Sequence, residues 1–165
     1  RMDITQLFDM QRALDAYIQS NRKEQTDVFR EKGLALLVEL GELANETRCF
    51  KFWSKKGPSD RPVILEEYVD SIHFMLSLGL ARNLESMTTW PAILKEEQCE
   101  TLTEQFLSTY EAVQQFLREP NEMTYAAVWR QYDGIATHLQ FTNEEIVRAY
   151  IEKNEENYER QRTGY

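Results

Sequence analysis

The chain has 165 residues, enough for one domain with its own core; a domain of that length buries roughly 70% of the surface its unfolded chain exposes. With 42% hydrophobic and 28% charged residues it reads as soluble and globular, and its formal net charge of −9 argues against a nucleic-acid binder, which needs a basic stripe to neutralise phosphates. A nucleotide substrate stays compatible with that charge, because bound metal ions reverse a local acidic field. The two cysteines, Cys49 and Cys99, are too few for a disulfide framework and form no C-x-x-C pair. With no apolar run of 18 or more residues and no charged-then-apolar leader, no membrane span is expected, and a reduced cytoplasmic compartment is. Arg1 ahead of Met2 is expected to be the remnant of an expression tag.

Helical spacing dominates from the start. Leu7, Met10, Leu14 and Ile18 share one face of a helix over 4–20, with Phe8 and Tyr17 widening the stripe. A second helix over 26–49 has Thr26 as its expected N-cap and Phe29, Leu34, Leu37, Leu40 and Ala44 as apolar positions. Gly33 and Gly41 cost it helix propensity but permit close approach of another helix or a ligand. Residues 55–62, with Gly57-Pro58 and Arg61-Pro62, read as a loop. The third helix, over 63–82, is apolar nearly all round its later half and therefore belongs in the core. After a connection at 83–91, further helices are expected over 92–117, 123–138 and about 142–160, the last opened by a Thr142-x-x-Glu145 capping box. Strand-like alternation of useful length, repeats and low-complexity segments are absent from the sequence. The fold expected is an all-α bundle of five to six helices forming one domain over 1–165.

Four acids stand out against this pattern. Glu39 and Glu42 lie within the apolar stretch Val38-Glu39-Leu40-Gly41-Glu42-Leu43-Ala44, and Asp70 lies between Val69 and Ile72, three residues after Glu67. Residues three apart share a helix face, so two packed helices bring four carboxylates together. Acids on buried faces need partners or a metal, and oxygen-only ligands suit Mg²⁺ or Mn²⁺ acting beside substrate phosphates. The competing reading, a solvated acidic face on a non-catalytic helical interaction module, fits the apolar surroundings less well. Glu46, seven residues after Glu39, is open to three roles: fifth ligand, outer support, or polar helix end. Glu66 points about 100° away from Glu67 and reads as solvated.

The stretches Glu39-Leu40-Gly41-Glu42-Leu43-Ala44-Asn45-Glu46, Phe50-Lys51-Phe52-Trp53-Ser54 and Glu66-Glu67-Tyr68-Val69-Asp70-Ser71-Ile72-His73-Phe74 resemble the dimeric all-α dUTPases, which group with the MazG-like all-α nucleoside triphosphate pyrophosphatases. Leu7-Phe8-Asp9-Met10-Gln11-Arg12-Ala13-Leu14-Asp15 is similar to that family's first motif and residues 150–165 to its last. The quartet marks the wider superfamily; the Lys-aromatic-Trp element and the C-terminal motif favour the dUTPase branch.

The resemblance implies a MazG-like homodimer with sites built from both subunits, hydrolysing dUTP to dUMP and pyrophosphate with Mg²⁺. Glu39, Glu42, Glu67 and Asp70 would be the metal ligands, and Glu39 would also activate the attacking water. Gln11 maps onto the glutamine that reads the uracil edge, a task suited to an amide that both donates and accepts. Asp15 stands where better-studied relatives carry Asn, which leaves the second base contact open. Phe74 maps onto an aromatic that packs on deoxyribose and base and excludes a 2′-hydroxyl, whereas His73 reads as a hydrogen-bonded structural residue. Trp53 and Phe52 are open to walling the base pocket or filling the core. Lys153, Asn157 and Arg160 share one face of the last helix, and in the family this motif closes over the phosphates, with Gly164-Tyr165 as a flexible closing tail over 161–165. Lys51 is a further phosphate candidate. The closest alternative is a broader MazG-type house-cleaning pyrophosphatase that shares the quartet but not the Gln11-based reading.

Overall fold

The structure is a computed structural model that describes residues 2–24 and 26–164. The tag reading of Arg1 and the substrate role expected of Tyr165 lie outside the described residues. In chain order the elements are β1 (Met2–Asp3), α1 (Thr5–Ser20), α2 (Phe29–Thr47), α3 (Arg61–Ala81), β2 (Thr89–Trp90), a single 3₁₀ turn (Lys95–Glu97), α4 (Leu102–Arg118), α5 (Glu122–Leu139) and α6 (Asn143–Arg162). The all-α expectation holds, with one small addition: β1 and β2 pair antiparallel, Met2 opposite Trp90 and Asp3 opposite Thr89. Two-residue strands carry no alternation for a sequence pattern to register.

Helix α3 is the central post, as its nearly all-round apolar sequence requires. Tyr68, Val69, Ile72, Met75, Leu76 and Leu78 are all buried on it. Helices α1, α2 and α6 pack on α3, α1 also meets α6, and α4 lies against α2 and α5. One apolar cluster joins side chains from all six helices. Close approach at two crossings depends on glycine: a Cβ at Gly79 would strike the Tyr125 ring and hydroxyl, and one at Gly33 would strike the Leu117 side chain. The tightness at Gly33 is of the helix–helix kind. Tyr125 uses the room at Gly79 to donate its hydroxyl to the Met75 carbonyl at 2.7 Å.

Three helix starts differ in cause. At α6 the Thr142 hydroxyl accepts the Glu145 N–H (3.1 Å) and the Glu145 carboxylate accepts the Thr142 N–H (2.9 Å), the expected capping box. At α2 the helix begins three residues later than expected. Thr26 caps nothing; the Asp27 carboxylate accepts the Phe29 N–H at 3.0 Å instead. At α4 the expected start at residue 92 is wrong by ten residues. Residues 92–101 run irregularly because Asp133 on α5 takes the Ile93 N–H (2.8 Å) and Glu97 pairs with Arg130 (2.9 Å), and the helix opens only where Thr101 accepts the Glu104 N–H. The C-terminal helix runs to Arg162, so Gln161 and Arg162, expected in a flexible tail, are helical.

The start of α3 is latched to the far end of the bundle. Arg61 pairs with both oxygens of Glu145 (2.7 and 2.9 Å), donates to the Leu139 carbonyl at 3.1 Å and stacks 4.9 Å from the Phe141 ring. With Arg61 bound there and Ser59 donating both its N–H and its hydroxyl to Glu46, the loop from α2 to α3 is held at both ends. That clamping fixes the phase of α3 relative to α2, on which the site depends.

Candidate active site

Helices α2 and α3 turn their acidic faces toward each other. One carboxylate oxygen each from Glu39, Glu67 and Asp70 lies within 4.8 Å of the others, each side chain half-buried. Glu42 belongs to the same group electrostatically: its charge raises both Glu39 and Glu67. Its own side chain is the exposed member of the quartet.

Crowding and burial leave these acids under-neutralised. Burial first, then the charges of Asp70 and Glu42, push the Glu39 carboxyl from 4.5 up to about 7. Glu67 is raised too, by burial and then by Asp70, Glu39 and Glu42. Asp70 is raised from 3.8 to about 6 by burial, against the lowering pull of the Lys153 ammonium. Glu39 Oε2 and Glu67 Oε2 are buried and accept no hydrogen bond. Two orphaned buried oxygens next to a third carboxylate form a hard-cation donor set, so these residues fit a Mg²⁺ or Mn²⁺ ion.

Beside the cluster lies a cavity of about 470 Å³ running between α1, α3 and α6. Glu39 and Asp70 line one end of it; Gln11, Asp15, His73, Phe74 and Ser77 line another part; Asn157 and Arg160 come from α6. The cavity therefore brings together seven candidate site residues, Gln11, Asp15, Glu39, Asp70, Phe74, Asn157 and Arg160, from four helices. Two cations that sequence reasoning passed over, Arg22 and Lys32, also line it. A spacing signal existed for Lys32, which precedes Glu39 by seven residues on α2, a separation that keeps side chains on one helix face; Arg22 lies beyond the end of α1, where helix spacing gives no signal.

One wall of the cavity carries a connected set of hydrogen bonds. Gln11 is only 3% exposed, and its Oε1 accepts from the Tyr150 hydroxyl (2.8 Å) and meets His73 Nδ1 (2.8 Å). Its Nε2 donates to Asp15 Oδ1 at 2.9 Å, and the other Asp15 oxygen accepts the Ser77 hydroxyl at 2.7 Å. His73 stacks on Tyr150 at 4.2 Å, and burial holds it down at about 3, so the imidazole is neutral. The structural reading of His73 fits this place.

Several candidate residues have partners or places that spacing does not show. Lys153, expected on a lid over phosphates, is 7% exposed, its ammonium 2.8 Å from Glu66, 2.9 Å from Glu156 and 3.3 Å from Asp70. Three carboxylates hold a lysine there more firmly than water can. Glu66 is thus an ion-pair partner as well as a solvated side chain. Glu46, open to three roles, is taken up by Ser59 and is outside the carboxylate group. Trp53 and Phe52 neither fill the core nor line this chain's cavity: they are 64% and 92% exposed and stack edge-on at 5.1 Å. Lys51 sits in the same turn, over the Phe50 ring, and is absent from the cavity lining.

Among the described residues, no helix is long and apolar enough to cross a membrane. No curated protein matches the chain. A family model described as dUTPase matches residues 3–165, which takes in both the carboxylate helices and the α1 and α6 walls of the cavity. A match of that extent over a site of this chemistry places the chain in the dUTPase family, hydrolases that act as dUTP diphosphatases.

Proposed function

We propose that this dUTP diphosphatase is Mg²⁺-dependent, with Glu39, Glu42, Glu67 and Asp70 holding the ion and the cavity between α1, α3 and α6 taking the deoxyuridine part of the substrate. The observation that carries this reading is the pair of buried, unpartnered oxygens on Glu39 and Glu67 within reach of Asp70. Mg²⁺, or Mn²⁺ in its place, supplies positive charge for the phosphate oxygens and acidifies water when bound. Glu39, poised near neutral pH by its surroundings, accepts the proton of the attacking water. Glu42, the exposed member, is free to rotate onto the substrate side. Arg22, Lys32 and Arg160 line the cavity and suit phosphate oxygens, Lys as point charges and Arg as a fork. Lys153 holds Asp70 in place instead of clamping phosphate. Phe74, half-buried on the cavity wall four residues after Asp70, packs against the sugar and leaves no room for a 2′-hydroxyl.

The enzyme acts as a cytoplasmic homodimer in this reading. Leu34 and Val38 on α2 and Leu107 on α4 are exposed apolar side chains on two adjacent helices, a face suited to a second copy. Lys51, Phe52 and Trp53 miss their own chain's cavity, so any contact they make with substrate is made in the partner's site. Sedimentation of Leu34→Lys/Val38→Glu tests the dimer; an unchanged sedimentation coefficient rejects that face.

The decisive assay is pyrophosphate release from dUTP, dTTP, dCTP and UTP with Mg²⁺ and after chelation. The expected result is turnover of dUTP alone, lost on chelation and restored by Mg²⁺. Equal rates on all four nucleotides would return the enzyme to the broader house-cleaning class. Turnover that survives chelation would remove the metal from the mechanism.

A further inference from the structure

The connected hydrogen-bond set on the cavity wall fixes something the identity of Gln11 alone leaves open: which end of its amide faces a ligand. A glutamine amide offers a carbonyl on one side and two N–H donors on the other, and in isolation either can turn toward a base. Here the two sides have been sorted. On one side, Tyr150 Oη and His73 Nδ1 both lie 2.8 Å from Oε1. On the other, Asp15 Oδ1 lies 2.9 Å from Nε2. A carboxylate only accepts, so exchanging the amide ends would set the Gln11 carbonyl oxygen against the Asp15 oxygen. It would also leave the Tyr150 hydroxyl only its longer contact to the Leu7 carbonyl, at 3.3 Å. Ser77 holds Asp15 from behind, its hydroxyl on Oδ2 at 2.7 Å, which keeps Oδ1 aimed at Gln11.

Within the Gln11 amide one group is left over. Gln11 Oε1 already has two partners, and Nε2 has spent one of its two hydrogens on Asp15. Among the described residues no second acceptor meets Nε2, and Gln11, Asp15 and Ser77 all line the same cavity. The amide therefore offers a ligand a donor and no acceptor.

We propose that Asp15, braced by Ser77, is a positioning residue that holds Gln11 with an N–H toward the substrate, so that the site takes a base presenting a carbonyl at the 4-position and rejects one presenting an amino group there. The inference rests on the reading above in which the base occupies this part of the cavity. A uracil carries O4 at that edge and accepts the Nε2–H; a cytosine carries an amino group, which sets donor against donor and strands both. The 2-carbonyl is common to both bases, and at position 3 an N–H donor would favour cytosine, whose N3 accepts, over uracil, whose N3 carries a hydrogen; a donor that selects uracil must therefore meet position 4. Sites built around a buried polar contact reject the mismatched analogue far more strongly than apolar pockets do. An asparagine at position 15 would weaken the device, since its amide can itself turn and accept or donate. With the carboxylate in place the orientation is one-way.

The test is the ratio of kcat/KM for dUTP over dCTP in wild type, Asp15→Asn, Ser77→Ala and Gln11→Ala, each with Mg²⁺ and each checked for native helical circular dichroism. Asp15→Asn is expected to lower the ratio by about tenfold or more, mainly through a better KM for dCTP, because Gln11 can then turn its carbonyl to the cytosine amino group. Ser77→Ala is expected to lower it less, since Asp15 is loosened but still a carboxylate, and this variant decides the matter if Asp15→Asn does not fold. A role for Asp15 in stability alone would depress both substrates together and leave the ratio unmoved. If Gln11→Ala lowers the ratio while Asp15→Asn and Ser77→Ala do not, the positioning role is overturned and base reading by Gln11 survives. If Gln11→Ala leaves the ratio unchanged, the placement of the base in this part of the cavity fails, and the positioning role with it.

Discussion

The two ends of the cavity are built on opposite principles. At the carboxylate end, Glu39 and Glu67 keep buried oxygens that meet no donor, and their protons are held more tightly than usual by crowding and burial. At the Gln11 end, the Gln11 oxygen and both Asp15 oxygens have protein partners, and Gln11 spends one N–H within the set. Unsatisfied charge is a store of affinity for whatever neutralises it, which suits a cation and the phosphates it accompanies. Satisfied polar groups do little for affinity but hold one geometry, which suits discrimination. One α-helix serves both ends: α3 presents Glu67 and Asp70 to the first and His73 and Ser77 to the second.

The sharpest way to break the contrast is at the open end. Glu39→Gln removes a carboxylate that in our reading both binds the ion and accepts the water proton. We expect a loss of about 10²–10⁴-fold in dUTP turnover with an unchanged helical spectrum. Turnover within a few-fold of wild type would rule out Glu39 as the base. At the same end, Lys153→Met withdraws the cation that already sits on Asp70. The expected result is tighter Mg²⁺ binding by calorimetry, because a competing positive charge is gone, together with a metal-free stability lower by about 1–3 kcal/mol from lost charge-assisted hydrogen bonds. Weaker Mg²⁺ binding would show that Lys153 orders the site more than it competes for it.

The pH dependence of stability separates the open site from a satisfied pair elsewhere. Glu39 and Asp70 have folded-state values raised from 4.5 to about 7 and from 3.8 to about 6. Their contribution to folding is therefore most favourable when both are protonated, below their unfolded values, and is lost as pH rises toward 7. Glu145, held down at about 2 by Arg61 and the Thr142 N–H, works the other way: its contribution is present above 4.5 and lost as pH falls toward 2. The melting temperature gained on adding Mg²⁺ should thus grow between pH 5 and pH 8, since the ion relieves repulsion that only then exists. A gain independent of pH over that range would contradict the crowded-carboxylate account. The smallest effect is expected at the α6 cap: Thr142→Ala should cost about 1 kcal/mol in urea unfolding and leave dUTP turnover almost untouched, a control remote from both ends of the cavity.

Much of this architecture was legible in the linear chain. Apolar spacing located α1, α3, α5 and α6 to within a few residues, and the Thr142-x-x-Glu145 box announced the start of α6. The acidic pairs stood out because acids within apolar helical runs demand an explanation. Residues 92–101 were illegible for a physical reason: the Asp133 and Glu97–Arg130 contacts that hold them irregular join positions more than thirty residues apart. The ion pairs of Lys153 were illegible for the same reason: its spacing with Asn157 and Arg160 lies within α6, but its carboxylate partners Glu66 and Asp70 sit on α3.

Sequence by itself determined the helical class and the acidic pairs set within apolar helical runs, because helix period and the cost of burying charge are local properties of the chain. Only the tertiary structure decided which cation is spent inside the protein and which line the cavity, and which way Gln11 faces. Those outcomes are set by hydrogen bonds and ion pairs between helices far apart in sequence, whose partners exist only once α1, α2, α3 and α6 have packed.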